Sequence, residues 1–222
     1  MTKTSLIKST GIISIATAIS RVLGFIRDIV IASFFGTSPA AQAFVVAFRI
    51  SNSLRDLVGE GATNSAIVPV LTEYKTRGDE REFRHISRVL FNVLLVTLII
   101  LAALGIIFSP LIVRLIAPGF VKEPGLYDLT VRLSRLIFPY LILIGLTAYA
   151  MGILNTLKHF AVPAFGPCLL NLALIASTLY LCPRIGVYAL AIGVLAGGAL
   201  QLFINIPVMF RKHITFSFRD GF

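Results

Sequence analysis

Residues 89–113, 136–157, 160–183 and 185–210 contain no Asp, Glu, Lys or Arg. About 20 apolar residues cross a hydrocarbon core of about 30 Å at 1.5 Å rise per residue, so each run is long enough to span a bilayer as a helix. Two less uniform apolar stretches precede them. Residues 11–35 end at the breaker sequence Gly36-Thr37-Ser38-Pro39, and residues 40–74 carry Asn52, Ser53, Arg55, Asp56, Gly59, Glu60 and Gly61 in their middle. The pattern predicts an all-α membrane protein forming one unit over residues 1–222. Its six segments are 11–35, 40–74 broken near 59–61, 89–116, 133–157, 161–183 and 185–210. Polar residues 73–88 are expected as a loop on one side and residues 117–125 as the longest loop on the other. Prolines 110, 139, 163, 167 and 207 are expected at helix ends or static kinks.

Composition agrees with the pattern. AVILMFWYC residues make up 57% of the chain and charged residues 14%, against about 45–50% and about 25% in soluble domains. Mean hydropathy is +0.91. Disorder, a disulfide-stapled secreted fold and a compact nucleic-acid-binding domain are excluded, although the pI is about 10.1. Cys168 and Cys182, 14 residues apart on one predicted helix, would lie about 21 Å from each other, too far for a disulfide.

The net charge of +10 comes from 20 Lys+Arg against 10 Asp+Glu, and its distribution sets orientation. A cytoplasmic N-terminus puts Lys3, Lys8, Lys75, Arg77, Arg81, Arg84, Arg88, Lys158, Arg211, Lys212 and Arg219 on one side, 11 in all. Four, Arg114, Lys122, Arg132 and Arg184, fall on the other, and Arg135 stands near a helix end. Both termini are therefore expected in the cytoplasm, as six crossings require. Lys3 and Lys8 before an apolar run resemble a signal peptide, but Arg21, Arg27 and Asp28 interrupt it, so a retained first helix is expected.

Arg21, Arg27, Arg49 and Arg55 remain inside or close to the first two segments, with Asp28, Asp56 and Glu60. An Arg at a helix centre costs about 2.5–3.5 kcal/mol on insertion scales, so these side chains must face protein or a wet cavity. At 100° per residue Arg21, Gly24 and Asp28 share a face, as do Arg49, Asp56 and Glu60, with Asn52 between Arg49 and Arg55. Two readings follow. Arg21–Asp28 and Arg49–Asp56 are ion pairs that tie helices together, or the arginines line a cationic cavity that takes an anionic headgroup such as a pyrophosphate. The guanidinium favours the second, because it stays charged when buried and presents a planar fork to phosphate oxygens. His85, His159 and His213 fall in predicted loops or tails without metal-ligand or acid/base spacing, and there is no phosphate-binding glycine motif. Neither catalysis, a metal nor a cofactor is expected.

Several motifs add to this. Ser20-Arg21-Val22-Leu23-Gly24-Phe25-Ile26-Arg27-Asp28, Ala43-Phe44, Arg49, Asn52, Leu54-Arg55, Glu60-Gly61-Ala62, Val68-Pro69 and Glu73-Tyr74 resemble the MurJ/MviN family of lipid II flippases. So do Ala117-Pro118-Gly119-Phe120, Phe138-Pro139-Tyr140, Ile153-Leu154-Asn155-Thr156 and Val162-Pro163-Ala164-Phe165. The resemblance implies a multidrug/oligosaccharidyl-lipid/polysaccharide exporter fold with two six-helix lobes and two further helices around a cationic cavity. The resemblance implies that this chain is the N-terminal lobe, a truncated product or half of a split protein, with the missing second lobe expected in cis or in trans. Implied partners are lipid II, an undecaprenyl-pyrophosphate-linked glycan, and the lipids of the bacterial cytoplasmic (inner) membrane, with no nucleic acid. Implied substrate-binding residues are Arg21, Arg27 and Arg55, beside Asn52 and Ser20. Asp28, Glu60, Arg49 and Asp56 are the implied gate or ion-pair residues. Similar proteins commonly carry Asp where this chain has Gln42, so a carboxylate gate contact does not carry over there. The alternatives are an exporter of another polyprenyl-linked glycan and a non-transporting scaffold whose buried charges are structural.

Overall fold

The computed structural model describes residues 3–56, 67–157, 159 and 161–211, and these are helical almost throughout. Helix α1 (Lys3–Phe35) starts before the expected segment and stops at Gly36, whose φ of +55° is a left-handed conformation that favours glycine. Ser38 then caps α2 (Pro39–Arg55), its Oγ accepting from the Ala41 N–H at 3.4 Å, and Pro39 opens the first turn. Glu60 and the break expected near 59–61 lie outside the described residues. The chain is described again at α3 (Val68–Arg77).

The expected loop 73–88 is helix at both ends, a correction with a clear local cause. Only Gly78 and Asp79 separate α3 from α4 (Glu80–Ile116). Asp79 caps α4, accepting from Arg81 N at 2.8 Å and Glu82 N at 3.0 Å, and these bonds, that to Glu82 foremost, hold its carboxyl below the usual range. Glu80 and Glu82 in the first turn suit the helix dipole, and Lys75 pairs with Glu80 across the turn. Hydropathy marks where a helix meets lipid, not where it begins. At 37 residues, α4 is about 55 Å long, so its polar start projects beyond the hydrocarbon.

Pro110 inside α4 cannot donate to the Ile106 carbonyl. The Ser109 hydroxyl donates to that carbonyl at 3.0 Å, and Arg135 Nε approaches it at 3.3 Å while bonding Ser109 Oγ at 3.1 Å. Arg135 comes from α5 (Pro124–Ile137), which follows a 3-10 turn at Pro118–Lys122, so the expected outer loop is shorter than 117–125. The segment expected at 133–157 is two helices, α5 and α6 (Tyr140–Thr156), broken at Phe138-Pro139. A short α7 (Ala161–Ala164) leads to α8 (Gly166–Ile185), which contains Pro183 rather than ending there, and α9 (Tyr188–Arg211) follows.

Helices α8 and α9 lie close because Gly197 leaves no room for a side chain. A Cβ there would come within 2.9 Å of the Leu170 Cα, the small-residue contact by which membrane helices gain dispersion energy. One apolar core joins Phe44, Leu133, Tyr140, Leu174 and Val194 from α2, α5, α6, α8 and α9. A second joins Leu71, Phe83, Leu98, Tyr149 and Ile153 from α3, α4 and α6, where the Tyr149 hydroxyl donates to the Ser87 carbonyl. Many large apolar side chains stay exposed, Phe25, Leu115 and Phe203 among them, as expected of surfaces that meet lipid.

Four described stretches are long and apolar enough to cross a membrane: Glu80–Ile116, Pro124–Thr156, Ala161–Ile185 and Tyr188–Arg211. Helix α1 is interrupted by Arg21, Arg27 and Asp28, and α2 has only 17 residues with Arg49 and Arg55 among them. These two therefore fall outside that set.

Candidate functional site

Arg27, Asp28 and Arg49 of these interrupting charges come together with Asp56 at a half-open cavity of about 580 Å³ between α1 and α2, reaching Leu174 of α8. Arg27, Asp28, Arg49, Asn52, Ser53 and Asp56 supply its polar lining, and Ile31, Phe44, Val45 and Phe48 part of its apolar wall. Local folding explains the placement. Ala16, Ser20, Leu23, Gly24 and Arg27 form the less exposed stripe of α1 at i, i+3, i+4 and i+7 spacings. That stripe packs on α8, where the Cys168 thiol approaches the Ala16 carbonyl at 3.6 Å. Buried Ala43, Ala47 and Ile50 turn the opposite side of α2 into the lobe, with Phe44 at the border between the two.

Arg27 is the best-held charge. Its Nε and Nη2 donate to Asp28 Oδ1 at 3.0 and 2.8 Å, and its Nη1 donates to Asn171 Oδ1 at 2.9 Å. Asn171 Nδ2 in turn donates to the Ser20 carbonyl at 3.0 Å, with Ser20 Oγ at 3.5 Å. Ser20 thus stands behind Arg27 through α8.

The pairs drawn from helical periodicity do not form. Arg27 pairs with Asp28 and Arg55 with Asp56, each with its chain neighbour, at 2.8 and 2.6 Å. Residues seven apart are separated by about 10.5 Å along the axis, whereas a long arginine folds back onto an adjacent carboxylate. Arg21 and Arg49 are exposed and have no ion pair among the described residues. Four arginines against Asp28 and Asp56 leave two positive charges in excess among the described residues of this region.

The three arginines expected to act together are not at one place. Arg55 lines a second cavity of about 460 Å³ with Thr17, Thr147, Asn155 and Gln201, between α1, α6 and the start of α8. Its partner Asp56 lines the first cavity, so this ion pair joins the two. Arg21 lines neither. Asn52 faces the first cavity, and among the described residues its buried Oδ1 has no hydrogen-bond partner, nor does the Oγ of the adjacent Ser51. Gln42 bonds the Thr37 carbonyl at 3.1 Å through Nε2, within the turn that opens α2.

Asn171 and Gln201 are singled out neither by the charges within apolar segments nor by the motifs quoted above. A carboxamide inside a charge-free apolar run was the available signal, because a polar group in hydrocarbon must find a partner.

Comparison with known proteins supplies independent findings. The family described as "Lipid II flippase MurJ" matches residues 31–222. The probable lipid II flippase MurJ of Buchnera aphidicola subsp. Acyrthosiphon pisum is 37% identical over 211 residues, which are 93% of this chain and 41% of that protein. The lipid II flippase MurJ of Burkholderia cenocepacia is 40% identical over 193 residues, 86% of this chain and 37% of the relative. A solved structure titled "Lipid II flippase MurJ, inward closed conformation" superposes with a TM-score of 0.79 at 30% identity, covering 94% of this chain and 43% of its own. The chain spans about two fifths of the length of these relatives.

Proposed function

The chain belongs to the lipid II flippase MurJ family, and from that premise we propose that it is the N-terminal lobe of a transporter of lipid-linked peptidoglycan precursor. The transporter moves its substrate from the inner to the outer leaflet of the bacterial cytoplasmic membrane by alternating access. The chain acts by binding and movement, without bond chemistry, and a second lobe closes the site in cis or in trans.

The observation that carries this reading is the cavity between α1 and α2, lined by Arg27 and by Arg49, which has no ion pair among the described residues. A diphosphate offers oxygens to a planar fork, and the developing ion pairs strengthen where water is excluded. Arg55 in the second cavity and Arg21 on the bare side of α1 extend the cationic surface along the path. Ser20 and Asn52 supply neutral polar contacts, and Asp28, Asp56 and Glu60 act as counter-ions that exchange partners when the substrate enters.

The test is the appearance of lipid II in the outer leaflet of cells depleted of their own flippase. A two-lobe protein containing this chain is expected to restore cleavage of lipid II by an impermeant enzyme added outside. Restored export of a different polyprenyl-linked glycan, with lipid II still inside, would assign the chain to a neighbouring exporter instead.

In this reading α1 and α2 also cross the membrane, their charged faces turned to the cavity, and both termini are cytoplasmic by the Lys/Arg asymmetry. Arg81 and Lys122 are both exposed. Single cysteines at the two positions are expected to be labelled from opposite sides, only the one at Lys122 by an impermeant reagent in intact cells. Labelling of both would overturn the six-crossing arrangement.

A further inference from the structure

Asn171 stands 6% exposed on α8, with both ends of its carboxamide engaged by α1. Its orientation follows from its neighbours. The Ser20 carbonyl can only accept and the Arg27 guanidinium can only donate, so Nδ2 faces Ser20 and Oδ1 faces Arg27. Ser20 and Arg27 lie two helical turns apart on one stripe of α1, and the carboxamide reaches both.

The bond to Asp28 does not fix the guanidinium alone. Nε and Nη2 both land on the same oxygen, Oδ1, so the carboxylate is a pivot rather than a two-oxygen clamp. Asn171 supplies the second anchor through Nη1. A guanidinium has five N–H donors. Three are used here, and one on each Nη remains for a ligand in the cavity. An aspartate in place of Asn171 would also accept from Arg27, but it would neutralise the charge and set a carboxylate against the Ser20 carbonyl. A neutral acceptor with a donor on its other end meets both needs.

We propose that Asn171 is a positioning residue, which holds the plane of the Arg27 guanidinium so that its two remaining N–H groups face the phosphate oxygens of the substrate. This rests on the reading that Arg27 meets a diphosphate.

The experiment measures inorganic pyrophosphate binding by the chain in lipid nanodiscs, for the unaltered protein, Asn171→Ala, Arg27→Ala and the double variant. Maleimide labelling of Cys168 accompanies it, because that thiol packs against Ala16 of α1 and is protected only while α1 stays on α8. Asn171→Ala is expected to weaken binding about tenfold, the loss of one hydrogen bond to a charged group. Cys168 should stay protected, and the double variant should bind no worse than Arg27→Ala. The near-isosteric Asn171→Asp keeps the volume of the site and is expected to lose at least as much binding while folded, which covers the case in which the alanine variant fails to fold.

Arg27→Ala losing pyrophosphate while Asn171→Ala binds normally would overturn the role of Asn171 and leave the diphosphate reading intact. Losses that multiply in the double variant, or Cys168 exposed in Asn171→Ala, would make Asn171 a mere seam between helices and also overturn it. Absence of binding by the unaltered chain, or normal binding by Arg27→Ala, would overturn the diphosphate reading and this role with it.

Discussion

In a two-lobe protein that contains this chain, Arg27→Lys is expected to abolish lipid II export at normal protein abundance, although the substitution preserves the charge. Arg27 divides its donors between Asp28, Asn171 and the open cavity. A lysine ammonium carries three donors on one point and cannot serve three directions in a plane. Two charge-assisted hydrogen bonds to phosphate, at about 1.5–3 kcal/mol each, correspond to more than a hundredfold in affinity. The exchange Arg27→Asp with Asp28→Arg separates recognition from structural pairing. Coulomb energy is symmetric under exchange, so a pair that only ties the helix together should survive it, whereas a phosphate site loses its fork to a new place. Loss of outer-leaflet lipid II is the expected result for both changes. Normal export by the lysine variant, at normal abundance, would favour the scaffold reading, in which Arg27–Asp28 and Arg55–Asp56 are structural.

How far the sequence carried this site can be judged from the same residues. Charges inside apolar runs are costly, which singled out Arg21, Arg27, Arg49 and Arg55 without any coordinates. Their arrangement did not follow from spacing: the sequence grouped the arginines around one cavity, whereas Arg49 and Arg55 line different ones and Arg21 lines neither. Partner choice was not legible. Periodicity ranks residues by the direction of their Cα–Cβ bonds and ignores the length of the arm, so Arg21–Asp28 looked better than the adjacent pair Arg27–Asp28 that forms.

The apolar runs gave away α8 and α9 because lipid-facing helices must be apolar. The same criterion was blind to the polar start of α4, where Asp79 capping and the Lys75–Glu80 pair make helix in water. The charge-free run over 136–157 did not by itself mark the break there, since a kinked and a straight crossing have the same composition; Pro139, expected at a helix end or kink, stands at it. Asn171 was hidden for a third reason. An uncharged side chain is cheap enough to pass unnoticed in a hydropathy profile, and its worth lies in contacts 144 and 151 residues away in sequence.

Residues 1–222 expressed alone are expected to insert, and to bind pyrophosphate weakly, yet to leave a flippase-depleted strain without lipid II export. The cores described above are closed within the lobe, so insertion needs no partner. The charged face of α1 is different. Arg21 and Asp28 project from a side that also exposes Val22, Phe25 and Ile29, and in lipid that combination is unfavourable by several kcal/mol for the arginine alone. A second protein surface with water between the two removes that cost and creates the other half of the cavity. Alternating access also needs two bodies that rock against each other, and a single packed lobe has nothing to move against. Supplying the second lobe of a related flippase in trans is therefore expected to restore export to some cells. Rescue by residues 1–222 alone would instead mean that two copies of the chain face each other across the cavity, and cross-linking between single cysteines at Phe25 of each copy would then identify that pair.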